Sequence, residues 1–353
     1  MKVLIVDDSV VMRSQIKSSL DGVDFIEVVG TANNGKIALQ RLEQITVEAV
    51  ILDMEMPELN GIETIKAIRK SKHPVRILVF SALTTSGSMA TLDALSAGAD
   101  DFIAKPSGPG MSLENAVEKI REQIVPKLNQ FLTIKDKLAL RNKEASPGST
   151  LEIPAFNKKD LSTFIPSVVV IGSSTGGPPA LEKVLADLPK ILRVPILIAQ
   201  HMPPVFTASF AKRLSQITGI ECEEGKDGEV LKNNKIYIAP GDYHMSLVKI
   251  SNQIQIKLDK MPHRNSVRPA VDPLFETAAN LYGAKTLAIV LTGMGEDGLV
   301  GAKAVKSESG GVAIQNKESC VVFGMPGAIH AAKLQDGEGD LTFINNLVKR
   351  VTS

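Results

Sequence analysis

Tryptophan is absent, aromatic residues make up only 4% of the chain, and there are two cysteines, Cys222 and Cys320. Recognition of single-stranded nucleic acid relies on aromatic stacking platforms, so their scarcity argues against that activity. Two cysteines are too few for a disulfide framework or a four-ligand zinc site, and they suit a reducing compartment. No charge of one sign dominates, since 40 Lys and Arg stand against 39 Asp and Glu, a net charge of +1. That balance does not fit a protein whose main task is to coat nucleic acid or an anionic membrane. Long apolar runs are missing too: none reaches ten residues, whereas a spanning helix needs roughly 18 or more. The opening Met-Lys-Val-Leu-Ile-Val-Asp-Asp reads as a strand running into acids rather than as a leader. A soluble, cytoplasmic protein with no membrane-inserted segment is expected.

What is present is ordinary globular composition, 44% hydrophobic and 22% charged over 353 residues. At about 150 residues per domain this predicts two domains. In residues 1–125, short apolar runs at Val3–Val6, Phe25–Val29, Ala49–Leu52, Ile77–Phe80 and Phe102–Ala104 alternate with amphipathic stretches. Met12, Ile16 and Leu20, and later Met89, Leu92 and Leu95, recur at helical spacing. Five βα units predict a flavodoxin-like (βα)5 fold, a doubly wound parallel sheet. Pro126 interrupts the last helical pattern, and residues 126–166, with Ser146-Pro147-Gly148-Ser149 at their middle, read as a linker that is helical in its first part. Residues 167–353 alternate again. Strands are expected at Val168–Ile171, Pro195–Ala199, Lys235–Ala239, Leu287–Leu291, Gly311–Gln315 and Cys320–Phe323, with an antiparallel hairpin over Leu247–Leu258. The predicted fold is a second doubly wound, mostly parallel α/β domain.

Asp7 and Asp8 follow the first strand and Asp53 follows the third, so a parallel sheet gathers all three carboxylates at its carboxyl edge, where such folds bind ligands. Two like charges ~4 Å apart repel by about 4 kcal/mol at an effective dielectric near 20, so the cluster calls for a divalent cation, and hard oxygens favour Mg²⁺. Lys105 supplies a further positive charge. Taken singly, Asp8 or Ser9 could merely cap a helix and Asp53 could open a turn. Together, Asp7-Asp8, Asp53, Ser81, Phe102 and Lys105-Pro106 resemble the receiver domain of response regulators across residues 1–125. The resemblance implies that Asp53 is the phosphoacceptor and that Asp7, Asp8, Asp53 and the backbone carbonyl of Glu55 hold Mg²⁺. It also implies that Ser81 grips the phosphoryl oxygens, Lys105 pairs with them, and Phe102 is the aromatic switch residue.

In the second domain Gly172-Ser173-Ser174-Thr175-Gly176 fits G-x-S-x-G in the context that gives the motif meaning, a strand before and a helix after. The helix N-terminus offers amides and a positive dipole to a developing oxyanion. The same loop also reads as a Gly-rich turn or a phosphate cradle, so partners must decide. His201 lies at the end of another strand and can serve as base. Gly293-Met294-Gly295-Glu296-Asp297-Gly298 follows a third, offering Asp297 to orient the imidazole and Met294 as a backbone donor to an oxyanion hole, with Thr175 the candidate for the second donor. The order Ser, His, Asp matches neither the α/β-hydrolases nor chymotrypsin nor subtilisin.

The Gly172–Gly177 loop, Gln200-His201-Met202-Pro203, the segment from His263-Arg264 through Asp272-Pro273-Leu274-Phe275, and Thr292–Gly298 resemble the catalytic domain of the chemotaxis protein-glutamate methylesterase (CheB) family over residues 167–353. That resemblance implies Ser174 as nucleophile, His201 as base and Asp297 as orienter. The implied activity is phosphorylation-controlled demethylation of glutamate methyl esters on methyl-accepting chemotaxis receptors, with deamidation of receptor glutamines by the same chemistry. A chemotaxis histidine kinase is the implied phosphodonor, and the unphosphorylated receiver is expected to restrain the esterase. No cofactor is expected for the esterase reaction. One departure is Ser173, where the family loop usually has Ala. His73 and His330 read as structural, His244 is ambiguous, and His263, Arg264 and Arg268 read as a solvated basic loop. Two rivals, a DNA-binding output and a nucleotide-binding α/β domain, leave His201 and Asp297 together unexplained, and the first also lacks a basic recognition helix.

Overall fold

The computed structural model describes residues 1–106, 112–132 and 156–353, and the chain divides into two compact units, Met1–Leu151 and Glu152–Ser353. In the first unit the elements run β1 (Lys2–Val6), α1 (Val10–Leu20), β2 (Glu27–Ala32), α2 (Gly35–Gln44), β3 (Ala49–Asp53), α3 (Gly61–Lys70), β4 (Arg76–Ser81), α4 (Thr85–Ser96), β5 (Asp101–Ala104) and α5 (Leu113–Gln130). The strands are all parallel in the order β2-β1-β3-β4-β5. β1 and β3 are buried along almost their whole length, as near-continuous apolar runs covered on both faces must be. Side-chain caps start the helices, among them Ser9 on α1, Asn34 on α2 and Asn60, with a full capping box, on α3; each satisfies an otherwise orphaned N–H.

Pro126 does not end the last helix. α5 runs on to Gln130, because Ile120, Ile124 and Leu128 repeat every four residues as a buried stripe that holds both sides of the proline against the core. The expected linker is therefore shorter than 126–166. Its Ser146–Ser149 stretch lies outside the described residues, and its far end belongs to the second unit: Leu161 and Phe164 are buried, and Arg350 donates to the carbonyls of both.

The second unit runs β6 (Val168–Ser173), α6 (Gly177–Val184), β7 (Ile196–Gln200), α7 (Phe206–Thr218), β8 (Glu221–Glu224), β9 (Lys235–Ile238), β10 (His244–Ile250), β11 (Gln253–Asp259), α8 (Val271–Tyr282), β12 (Thr286–Val290), α9 (Leu299–Ser307), β13 (Gly311–Gln315), α10 (Met325–Ala331), β14 (Gly337–Gly339) and α11 (Leu341–Thr352). Seven parallel strands lie in the order β14-β13-β12-β6-β7-β9-β8, and β10 and β11 form the antiparallel hairpin. The short strands β8 and β14 were not anticipated. β8 reads Glu-Cys-Glu-Glu, an acidic edge strand tied down by the buried Lys235, which reaches both Glu221 and Glu223.

Cys320–Phe323 is not a strand. It makes one isolated parallel bridge, Phe323 to Gly293 in the loop after β12, with the Val322 N–H donating to the Thr292 hydroxyl at 3.0 Å and its carbonyl accepting from the Gly293 N–H at 3.0 Å.

The start of the second unit hangs on a buried ion pair. Lys306 Nζ and Asp336 Oδ1 are 2.6 Å apart with side chains 4% and 1% exposed, and Asp336 also accepts from the backbone N–H groups of Lys159 and Val312. Asp336→Ala strands the ammonium in the interior and is expected to cost about 3–5 kcal/mol. Urea denaturation of the full chain, followed through the transition of the second unit, measures that loss.

Candidate active site

Three strand ends build the serine edge of the second unit. β6 ends at Ser173 and turns through Ser174, Thr175 and Gly176 into α6. β7 ends at Gln200 and releases His201, while β12 leads into the loop that carries Met294 and Asp297. The chain leaves β6 toward β7 on one side and returns at β12 on the other, so this crevice is a topological switch point, where doubly wound sheets hold their ligands.

Backbone bonds tie the turns together. The Ser174 N–H donates to the Thr292 carbonyl at 3.0 Å and the His201 N–H to the Ser173 carbonyl at 3.1 Å; the Thr292 hydroxyl donates to the Thr175 carbonyl at 2.9 Å. At Gly293 a Cβ would stand 2.8 Å from the Ser174 Cβ, so only glycine allows the Gly293-Met294 backbone this close to the serine.

His201 Nε2 lies 2.8 Å from Asp297 Oδ2, with the two side chains 10% and 1% exposed. An ionised carboxylate only accepts, so Nε2 carries the proton and Nδ1 is left for the serine. Among the described residues the Ser174 hydroxyl forms no hydrogen bond with the imidazole; such bonds often tighten only when substrate arrives.

Asp297 is held from several directions. Its Oδ2 also accepts from the Val271 N–H at 2.6 Å, and its Oδ1 accepts from Asp272 N–H, Gly298 N–H and Asn265 Nδ2 at 3.1, 3.0 and 3.0 Å. Val271 and Asp272 open α8, whose N-cap residue Ala270 has no side-chain cap, so Asp297 caps that helix from another segment. Asp272 returns the arrangement, accepting from Gly298 N–H at 3.0 Å and Gly301 N–H at 2.7 Å at the start of α9. Two carboxylates thus cap each other's helices, and Asn265 donates to both.

Burial alone would raise the Asp297 carboxyl, but the hydrogen bond and charge of His201 and the N–H groups of Val271 and Asp272 outweigh it and hold the carboxyl below its usual 3.8. Asp272 is pushed up to about 6, first by burial and then by the negative charge of Asp297.

Asn265 and Asp272 had no sequence role assigned, because Asn265 sits in the segment read as a solvated loop. In that loop His263 is exposed, but Arg264 forms a bidentate pair with Glu276 and Arg268 pairs with Asp242. His244 is structural: it is buried, with Nδ1 accepting from the Ala270 N–H and Nε2 facing the Pro262 carbonyl. Met294 is 39% exposed, and Thr175, next to Ser174 in the chain, is buried.

The acidic cluster of the first unit sits where β1 and β3 end. Ligand oxygens of Asp7, Asp8 and Asp53 lie within 4.8 Å of one another, and Lys105 Nζ is 2.6 Å from Asp53 Oδ1 and 3.6 Å from Asp7 Oδ2. Burial raises both the Asp7 and Asp53 carboxyls; the Asp53 charge adds to the rise at Asp7, and Lys105 opposes it at both. Asp7 Oδ2 is buried without a hydrogen-bond partner among the described residues. Three acids around an unsatisfied oxygen suit a hard divalent cation such as Mg²⁺. Asp8 and Glu55 line one cavity. The buried Ser81 hydroxyl donates to the Gly87 carbonyl at 3.2 Å, and Phe102 is buried with Lys127 Nζ 5.7 Å from its ring centroid.

Residues 169–346 match the family model for CheB methylesterase, and residues 3–118 match that of the response regulator receiver domain. The chain belongs to the CheB methylesterase family. A relative from Trichodesmium erythraeum named protein-glutamate methylesterase/protein-glutamine glutaminase is 45% identical over 95% of this chain and 94% of its own. The protein of that name from Thermotoga maritima is 40% identical over 96% and 94%. The crystal structure of the Thermotoga maritima CheB methylesterase catalytic domain aligns with a TM-score of 0.51 at 43% identity, covering 53% of this chain and 99% of that one. The α/β architecture of the second unit is therefore that of the CheB catalytic domain, preceded by a receiver. No helix among the described residues is long and apolar enough to cross a membrane.

In this CheB-family site the reciprocal carboxylates predict a pH signature. Burial and the Asp297 charge push Asp272 up to about 6 in the folded chain from the usual 3.8, so the folded state holds the extra proton and stability falls as pH rises from about 4 to about 6. The depressed Asp297 carboxyl acts below that window, losing its contribution as pH falls through its folded value. Asp272→Asn keeps an oxygen for Gly298 and Gly301 but removes the charge. Thermal melts of parent and variant are expected to diverge in the variant's favour between pH 4 and 6 and to run parallel above.

Proposed function

We propose that this protein hydrolyses methyl esters of glutamate side chains on chemoreceptors, releasing methanol, under the control of phosphorylation at Asp53. The observation that carries the reading is the His201–Asp297 bond of 2.8 Å at the edge where Ser174 leaves its strand.

The chemistry follows from the hydrogen-bond polarity. His201 Nδ1 takes the Ser174 proton as Oγ attacks the ester carbonyl carbon, and Asp297 stabilises the imidazolium that results. The tetrahedral oxyanion is received by the backbone N–H groups of Met294 and Thr175. The intermediate collapses with cleavage of the ester C–O bond, and methoxide leaves as methanol with the proton from His201. Water, deprotonated in turn by His201, then hydrolyses the acyl-serine and returns glutamate. A glutamine side chain can enter the same sequence with ammonia as leaving group, which accords with the second half of the relatives' name.

In the first unit Asp53 accepts the phosphoryl group from a chemotaxis histidine kinase, with Lys105 and Ser81 against its oxygens. Asp7, Asp8, Asp53 and the Glu55 carbonyl would hold Mg²⁺, which neutralises charge on the transferring phosphoryl group when bound. Phosphorylation relieves the restraint that the receiver places on the esterase. The setting for this exchange is the cytoplasm.

A fluorophosphonate is expected to label Ser174 and no other serine, mapped by mass spectrometry. Asp297→Asn is expected to lower the turnover rate about 10⁴-fold, as in the Ser-His-Asp template, because the imidazole then loses its orienting charge. Asp53→Asn is expected to leave basal turnover in place while abolishing its rise with a small-molecule phosphodonor.

A further inference from the structure

Ser173 and Gln200 stand opposite each other in the register of β6 and β7, one residue before the proposed nucleophile and base. Both side chains are buried, at 0% and 1% exposure. Alternation along the strands puts them on the face shared by Val169, Ile171, Ile196 and Ile198. A hydroxyl and a carboxamide at that depth are costly unless every polar atom finds a partner.

Here they do. The Ser173 hydroxyl donates to Gln200 Oε1 at 2.6 Å. Gln200 Nε2 donates to the carbonyl of Ser174 at 3.0 Å and to that of His201 at 3.3 Å. The Ser174 carbonyl accepts a second bond from the Gly177 N–H at 2.7 Å. A Cβ on Gly177 would stand 2.0 Å from Gln200 Oε1, so glycine there makes room for the carboxamide.

We infer that Ser173 and Gln200 form a clamp that sets the spacing between Ser174 and His201. This deepens the esterase reading and rests on it. One carboxamide holds the main chains of both residues: the two carbonyls only accept, so Nε2 faces them and Oε1 is left for the Ser173 hydroxyl to satisfy. Neither side chain touches the reacting atoms, so both are positioning residues. A displacement of the order of 1 Å between nucleophile and base costs about a hundredfold in rate, and the loss falls on the chemical step rather than on binding.

The test uses the full-length chain with Mg²⁺ and a phosphodonor. It reads kcat and KM for methanol release from methylated chemoreceptor membranes, the rate of fluorophosphonate labelling at Ser174, and Tm. Ser173→Ala is expected to lower kcat and the labelling rate about ten- to a hundredfold with KM unchanged. Gln200→Met is expected to lose at least as much, and the double variant to be no slower than Gln200→Met, because Ser173 acts only through Gln200. Should Gln200→Met fail to fold, Ser173→Ala still decides. A parental kcat in Ser173→Ala, with or without a lowered Tm, overturns the clamp, as do losses that multiply in the double variant. A parent chain that fluorophosphonate does not label at Ser174 overturns the esterase reading itself, a result distinct from a labelled parent with an unaffected Ser173→Ala.

Discussion

A carboxylate 1% exposed must be met by donors or give up its charge, and the serine edge of this protein is organised around meeting that demand at Asp297. Its two oxygens accept from His201, Val271, Asp272, Asn265 and Gly298. These donors come from the end of β7, the start of α8, the loop before it and the start of α9, so a single charge draws four segments to one point. Two of the donors are the first N–H groups of α8, which add the favourable end of a helix dipole. The negative charge bonded to the imidazole is thus also a helix cap, and folding of the second unit and assembly of its serine edge are one process.

The two units solve related electrostatic problems in opposite ways. In the second unit Asp297 keeps its charge because N–H groups and an imidazole surround it, while its neighbour Asp272 titrates near 6. In the first, Asp7 and Asp53 are buried at adjacent strand ends with Lys105 as the near cation, and Asp7 Oδ2 has no hydrogen-bond partner among the described residues. A centre already supplied with donors suits steady acid–base work. One that remains short of positive charge suits a site whose occupancy by a cation and a phosphoryl group changes with signalling.

Much of this was legible in the chain because parallel sheets deliver chemistry to one edge. Asp7, Asp53, Ser174 and His201 follow buried apolar runs directly or end them, so strand prediction alone places them. Asp297 follows its strand after a glycine-rich loop and is placed nearly as well. The places of Gln200, Asn265 and Asp272 in the hydrogen bonding of the serine edge were not legible. Gln200 ends its strand as an inward polar residue, and only the register against Ser173 reveals its partners. Asn265 reaches the carboxylates from a loop whose charged neighbours, His263, Arg264 and Arg268, drew attention to the solvent side. Local propensity also misled once: Cys320–Phe323 has β-forming residues whose hydrogen bonds are taken up by the Thr292–Gly293 loop. Pro126 interrupts the helical pattern, but the helix expected to continue past it does so to Gln130, held by the buried stripe of Ile120, Ile124 and Leu128.

The most direct measurement is methanol release from methylated chemoreceptor membranes by the parent chain and by Ser174→Ala, each with and without phosphodonor and Mg²⁺. The account predicts release by the parent that rises with phosphodonor and is absent from Ser174→Ala under both conditions. Release that survives in Ser174→Ala, or that is indifferent to phosphodonor in the parent, would contradict it.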